Sequence, residues 1–231
     1  MEKGNNQNEQ GLVGLVKKDV KSFLEKKQNL FFNERDFQMH LAIWLKETKK
    51  YYDIDVEYYV PKGALDEKKY VWNSELYIDI VVKKDQEYCL IELKYKTKEI
   101  ASQEIDRFGE SLGNETILKN QSAQNYGKYN FWKDVRRIEL VTEKFKDVKG
   151  GLAIFLTNDQ SYLKGKENSA CSKFSMNDGV CHEKDKDWTN TTNHPNHPDF
   201  KVDKEYTTDW FKVKNEKTNS DFYYCILEIT K

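Results

Sequence analysis

The chain has 231 residues, 33% charged and 38% hydrophobic, and its 38 Lys and Arg against 39 Asp and Glu sum to a formal charge of −1. That balance excludes a uniformly basic nucleic-acid coat but not a local basic groove, because an electrostatic footprint depends on where charges cluster. Aromatic content of 13% excludes a disordered charged tail, and four unevenly spaced cysteines exclude the dense disulfide framework of a small secreted scaffold.

This length predicts a single domain over residues 1–231. The opening MEKGNNQNEQ holds no apolar segment of signal-peptide type, and the longest aliphatic run is about the size of GLAIFL, far short of a bilayer span. The expectation is a soluble cytoplasmic protein with reduced thiols and no membrane partner. From Gly11 to Lys27, Leu12, Val13, Leu15, Val16, Val20, Phe23 and Leu24 gather near one helical face, with lysines on the other. A second helix opens with Asn33 as N-cap, carries Glu34 and Asp36 in its first turn, and runs to about Glu47. Ile54, Val56, Tyr58 and Val60 then alternate as a strand until Pro61 stops it. Residues 61–75 read as a loop, and LYIDIVV and EYCLIELKY read as a hairpin. A long helix is predicted from about Lys119 to Phe145, followed by GLAIFL as a buried strand. The polar stretch 158–220 reads as a surface excursion with patches of structure, and FYYCILEI closes the chain as a strand.

The hairpin carries the chemistry. If its turn centres between Asp85 and Gln86, Asp79 lies opposite Glu92, and alternation brings Lys94 to the same face while Ile78, Ile80, Ile91 and Leu93 point to the other. Like charges directly opposed destabilise a sheet. A divalent cation offsets that repulsion, and two carboxylates beside a backbone carbonyl are the hard oxygen ligands Mg²⁺ prefers. The competing reading is a solvated cross-strand ladder of salt bridges.

Asp79, then Glu92-Leu93-Lys94 on a helix-then-hairpin background, resembles the PD-(D/E)xK restriction-endonuclease-like superfamily. Asp79 is similar to the first acid, Glu92 to the second and Lys94 to the lysine; Glu34 is similar to an extra acid that many members carry on the preceding helix. Ile78 stands where the name-giving proline would be. The resemblance covers roughly residues 30–157 and, more loosely, the last strand. It looks closest to bacterial proteins with this core, which include restriction and repair-type nucleases. What it implies is an α/β fold with a restriction-endonuclease-like core, a central mixed β-sheet flanked by helices, and a long polar insertion before the last strand at 221–230. It also implies catalytic Asp79, Glu92, Lys94 and Glu34, with Mg²⁺ (Mn²⁺ as substitute) held by Asp79, Glu92 and the Leu93 carbonyl. The implied reaction is phosphodiester hydrolysis in DNA, with endonuclease versus exonuclease action, RNA as substrate and a homodimer left open.

Over the segment Lys119–Arg137 of the long helix, Lys119, Lys128, Lys133, Arg136 and Arg137 stand against one acid, Asp134. In the resembling nucleases this helix borders the site, so Lys128, Lys133, Arg136 and Arg137 are candidates for phosphate contact, and Gln121 and Gln124 for orienting water. A solvated basic face is the bland alternative. Cys171, Cys181, His182, His194 and His197 are zinc-competent types, but no CxxC pair or common finger spacing joins them. His40 reads as a helix-face histidine. Phosphate-loop, HExxH and GxSxG motifs are missing from the sequence. The alternative function is a non-catalytic module that binds nucleic acid or protein on a nuclease-like scaffold.

Overall fold

Leu12, Val13, Val16, Val20, Phe23 and Leu24 recur at helical spacing and form the buried face of α1 (Leu12–Lys26). This computed structural model describes residues 11–26, 30–101, 103–166, 169–189, 194–215 and 218–231; the opening decapeptide and Lys27 lie outside the described residues. α2 (Glu34–Glu47) starts where the Asn33 side chain accepts a hydrogen bond from the Asp36 N–H at 2.9 Å. It buries Phe37, Gln38, Leu41, Ala42 and Leu45.

β1 (Asp53–Val60) ends at Pro61, and β2 (Leu76–Lys84) and β3 (Glu87–Lys96) form the expected hairpin around Asp85 and Gln86. The pairs Ile80↔Ile91 and Val81↔Leu90 give it the expected register. A second hairpin, β4 (Gln103–Arg107) and β5 (Glu110–Glu115), stands outside the main sheet and was not foreseen in the sequence. α3 (Gln124–Lys144) begins later than the predicted Lys119, because Ala123 at its N-cap takes the left-handed conformation with φ +68. β6 (Val148–Thr157) follows. The remainder holds the short strands β7 (Val180–His182), β8 (Asp185–Lys186), β9 (Phe200–Lys201) and β10 (Tyr206–Thr208), then β11 (Trp210–Asn215) and β12 (Ser220–Thr230).

The central sheet has six strands in the order β1-β2-β3-β6-β12-β11. β3 and β6 pair in parallel and the other neighbours antiparallel, so the sheet is mixed and α3 lies in the crossover that a parallel pair requires. One face packs on α1 and α2 through Val16, Phe23, Phe37, Leu41 and sheet residues such as Ile91 and Leu93. The other packs on α3 through Trp132, Val135 and Ile138.

Residues 158–220 are less peripheral than their polarity suggested. Tyr162, Phe174, Phe200 and Tyr206 are buried in the α3 layer, and β11 forms one edge of the sheet. Burying an aromatic ring outweighs the polar character of its neighbours, which occupy the connecting turns. No helix among the described residues is long and apolar enough to cross a membrane.

Candidate active site

The β2–β3 ladder runs from Lys84↔Glu87 to Ile80↔Ile91 and stops there. The β1–β2 pairing is disturbed at the same level: Val56 pairs with Ile80 and Tyr58 with Ile78, while Glu57 between them takes φ +51. A non-glycine residue in that region is strained. Gln38 of α2 spans the disturbance, donating from Nε2 to the Asp79 carbonyl at 2.7 Å and to Glu57 Oε1 at 3.1 Å. Beyond the break, Ile78 joins Leu76 and Val81 in the α3 layer, whereas Ile80, Ile91 and Leu93 lie in the α1–α2 layer. The expected common face for Ile78 and Ile80 is thereby corrected, since strict alternation presumes a regular strand.

Asp79 fills the gap where the strands part: its Oδ2 accepts a hydrogen bond from the Leu93 N–H at 2.6 Å. Lys94 Nζ donates to the Leu93 carbonyl at 2.8 Å and lies 2.6 Å from Asp134 Oδ2 and 3.9 Å from Glu34 Oε1. Glu34 Oε2 accepts from the Tyr95 N–H at 2.8 Å, which ties the start of α2 to β3. Glu92 is 2% exposed, its Oε1 has no hydrogen-bond partner, and Arg137 stands 3.9 Å from it. Arg137 is also 3.5 Å from Asp134 Oδ1. A solvated ladder does not describe side chains this deeply buried.

Four carboxylates, Asp79, Glu92, Asp134 and Glu34, thus surround two close cations, Lys94 and Arg137. The excess negative charge shows in the ionisations. Burial raises the Asp79 carboxyl to about 6, against the pull of Lys94, with Asp134 adding to the rise. Glu92 is pushed well above the carboxylate range by burial and then by the charges of Asp134 and Asp79. Burial alone would lower Lys94, but Asp134, Glu34, Asp79 and Glu92 together hold its ammonium above the ordinary lysine value. Arg137 is raised in the same way, burial being overcome by Asp134 and Glu92.

Of the basic candidates, Arg137 and Lys133 border this cluster. Lys133 is pushed down to about 8 by burial and by Arg137, and its Nζ lies 5.2 Å from the centroid of the Trp72 ring. Arg136 instead pairs with Glu139 at 3.0 Å and Asp203 at 2.5 Å, and Lys128 is buried beside Gly165. With 3.6 residues per turn, positions 133, 134 and 137 share a face that excludes 128 and 136. Gln124 Nε2 donates to Asp159 at 3.3 Å, and Gln121, outside α3, donates its N–H to the Thr97 carbonyl at 2.8 Å. Neither is brought into the carboxylate cluster by these bonds.

Asp134 and Gln38 were missed as site residues. Each had a signal: Gln38 follows Glu34 by one helical turn, and Asp134 precedes Arg137 by three residues as the one acid of the basic stretch 119–137. The Cys and His set is dispersed. Cys171 Sγ is 2.9 Å from Asn125 Oδ1, His182 Nε2 is 2.8 Å from Thr208 Oγ1, and His194 and His197 stack on Trp188 and Tyr126. His40 lies 3.4 Å from Asp36 on the exposed side of α2.

Among the described residues, no group of three or more Asp, Glu, His or Cys side chains is arranged as a ready metal cage. Mg²⁺ needs fewer, since it keeps several waters and commonly takes one or two carboxylates. Asp79 and Glu92 would be the two hard oxygen ligands for such a cation, which would satisfy the unpartnered buried Glu92 Oε1. The Leu93 carbonyl, the third expected ligand, is engaged by Lys94. Comparison with protein-family models, with curated proteins and with solved structures returns no match.

Proposed function

We propose that this chain is a metal-dependent nuclease of the PD-(D/E)xK type that hydrolyses phosphodiester bonds in DNA. The observation that carries the reading is the excess of acid: the buried Asp79, Glu92 and Asp134 with the half-exposed Glu34 against two close cations, Glu92 being 2% exposed with an unpaired oxygen. A buried charge without a partner is expensive, and a divalent cation would compensate this deficit.

Asp79 and Glu92 would hold Mg²⁺, or Mn²⁺ in its place. Once bound it supplies a Lewis acid for the phosphate and a lowered pKa for water. Lys94, kept as an ammonium by its carboxylate neighbours, stabilises developing negative charge on the phosphate and does not remove the proton of the attacking water. Asp134 and the Leu93 carbonyl fix where that ammonium sits. Glu34 ties α2 to β3 and adds to the field around Lys94. Arg137 and Lys133, which border the cluster from α3, would meet phosphate oxygens.

The test is incubation of plasmid and linear DNA, with RNA in parallel, in Mg²⁺, Mn²⁺ or EDTA. Cleavage is expected with metal and is lost in Asp79→Ala; Lys94→Met lowers its rate by roughly 10²–10³. Cleavage unchanged in Asp79→Ala overturns the site. Saturable Mn²⁺ and DNA binding without cleavage would leave the non-catalytic binding module standing instead.

A further inference from the structure

The β4–β5 ribbon stands apart from the six-stranded sheet, its two strands paired with each other and its base closed by the Ile100–Leu118 bridge. A two-stranded ribbon is marginally stable in water without further packing. At its tip Phe108 and Gly109 take φ +56 and +84. Such a two-residue turn favours Asn-Gly or Gly-Gly, and a phenylalanine at its first position is unfavourable. Phe108 is nonetheless there, fully solvent-exposed at 106%, with Leu112 at 53% on the same ribbon. The ring is therefore held where both backbone conformation and hydration oppose it, and burial within this molecule gives nothing back.

Charge narrows the partner. Residues 103–115 carry Glu104, Asp106, Glu110 and Glu115 against Arg107. An acidic ribbon is repelled by a phosphate backbone and complements a basic protein surface with an apolar recess. The chain itself presents one. A cavity of about 740 Å³ lies between β1 and the C-terminal end of α3, with Tyr58, Tyr59, Val141 and Phe145 in its lining. Lys144 and Lys146 also line it, against one acid, Asp147. Tyr58, Tyr59 and Phe145 are themselves exposed at 41%, 49% and 37%.

We propose that the chain self-associates, the acidic β4–β5 ribbon of one copy seating Phe108 in the Tyr59–Phe145 cavity of a second copy. Two reciprocal insertions close a twofold dimer, whereas a one-way insertion propagates into a larger assembly. The interface stands independently of the nuclease reading and is tested without any activity.

Sedimentation of the whole chain over a wide concentration range is expected to show reversible association. Phe108→Asp is expected to weaken it at least about 30-fold, the effect of losing a central aromatic anchor. Near-ultraviolet circular dichroism checks that this fully exposed substitution leaves the fold intact. Lys144→Glu with Lys146→Glu weakens association, and adding Asp106→Lys with Glu110→Lys restores it. In a Cys181→Ser background, which removes the exposed thiol, mixing Phe108→Cys with Tyr59→Cys gives an intermolecular disulfide. A wild-type chain that stays monomeric, or association that Phe108→Asp leaves unchanged, overturns the proposal.

Discussion

Replacing Asp79 by Asn is expected to stabilise the metal-free protein at neutral pH while abolishing its response to divalent cations. The folded protein holds this carboxyl at about 6 against 3.8 for a free aspartate, mainly through burial and then through Asp134, with Lys94 opposing. Between those two pH values the folded chain keeps a proton that the unfolded chain releases. The associated stability is therefore complete below pH 3.8 and lost as pH rises through about 6. A displacement of that size corresponds to at most about 3 kcal/mol. Partial exposure of Asp79 reduces the expected gain in Asp79→Asn to about 1–2 kcal/mol. The amide oxygen can still accept the Leu93 N–H, so the strand junction keeps its hydrogen bond.

Urea unfolding in EDTA at pH 7.5 and 3.5 measures this directly. The variant should be the more stable at the higher pH, and the two proteins should converge at the lower. Adding Mn²⁺ at pH 7.5 should then raise the wild type by about 2.7 kcal/mol at a hundredfold excess over its dissociation constant, and the variant hardly at all. An Asp79→Asn protein less stable than wild type in EDTA at pH 7.5 would refute the claim that uncompensated carboxylate charge is stored at this site.

Lys186 offers an independent check on buried charge. It is fully buried, its Nζ lies 3.8 Å from the centroid of the Trp132 ring, and burial pushes it down to about 7. The unfolded chain binds the extra proton between about 7 and 10.5, so stability rises with pH across that window. Lys186→Met is expected to flatten the rise and to stabilise the protein by about 2–4 kcal/mol at pH 7, as followed by denaturant unfolding from pH 7 to 10. At Gly150, with φ +136, an added Cβ would run into the Ile229 carbonyl oxygen of β12. Gly150→Ala should therefore cost about 3 kcal/mol or more in thermal unfolding, and a loss below about 1 kcal/mol would contradict the tight β6–β12 contact.

Local regularity explains which elements were legible. Phe37 and Leu41 mark a helix by spacing alone, Asn33 marks its start, and the Asp85–Gln86 turn sets the Ile80↔Ile91 register by counting. Legibility failed where local rules were overridden. Ile78 changes layer because the β1–β2 pairing is disturbed at Glu57. Ala123 delays α3 by adopting a left-handed conformation that composition does not announce. Tyr162, Phe174 and Phe200 draw a polar-looking segment into the core, because burial depends on where each ring lands and mean polarity does not record that.

The charges divide along the same line. From the sequence alone came a balance of −1 and the hairpin that carries Asp79, Glu92 and Lys94, because strand alternation and turn position are local properties. The expected direct opposition of Asp79 to Glu92 is not formed, since the ladder ends at Ile80↔Ile91 and Asp79 accepts from the Leu93 N–H instead. The tertiary structure alone decided which bases of α3 join those acids. Helix rotation against the sheet brings Asp134 and Arg137 to the cluster, commits Arg136 to Glu139 and Asp203, and buries Lys128 elsewhere. The near-neutral total thus conceals an acidic cluster whose balance of charge depends on how one helix is turned, a quantity set by long-range packing of Trp132, Val135 and Ile138 against the sheet.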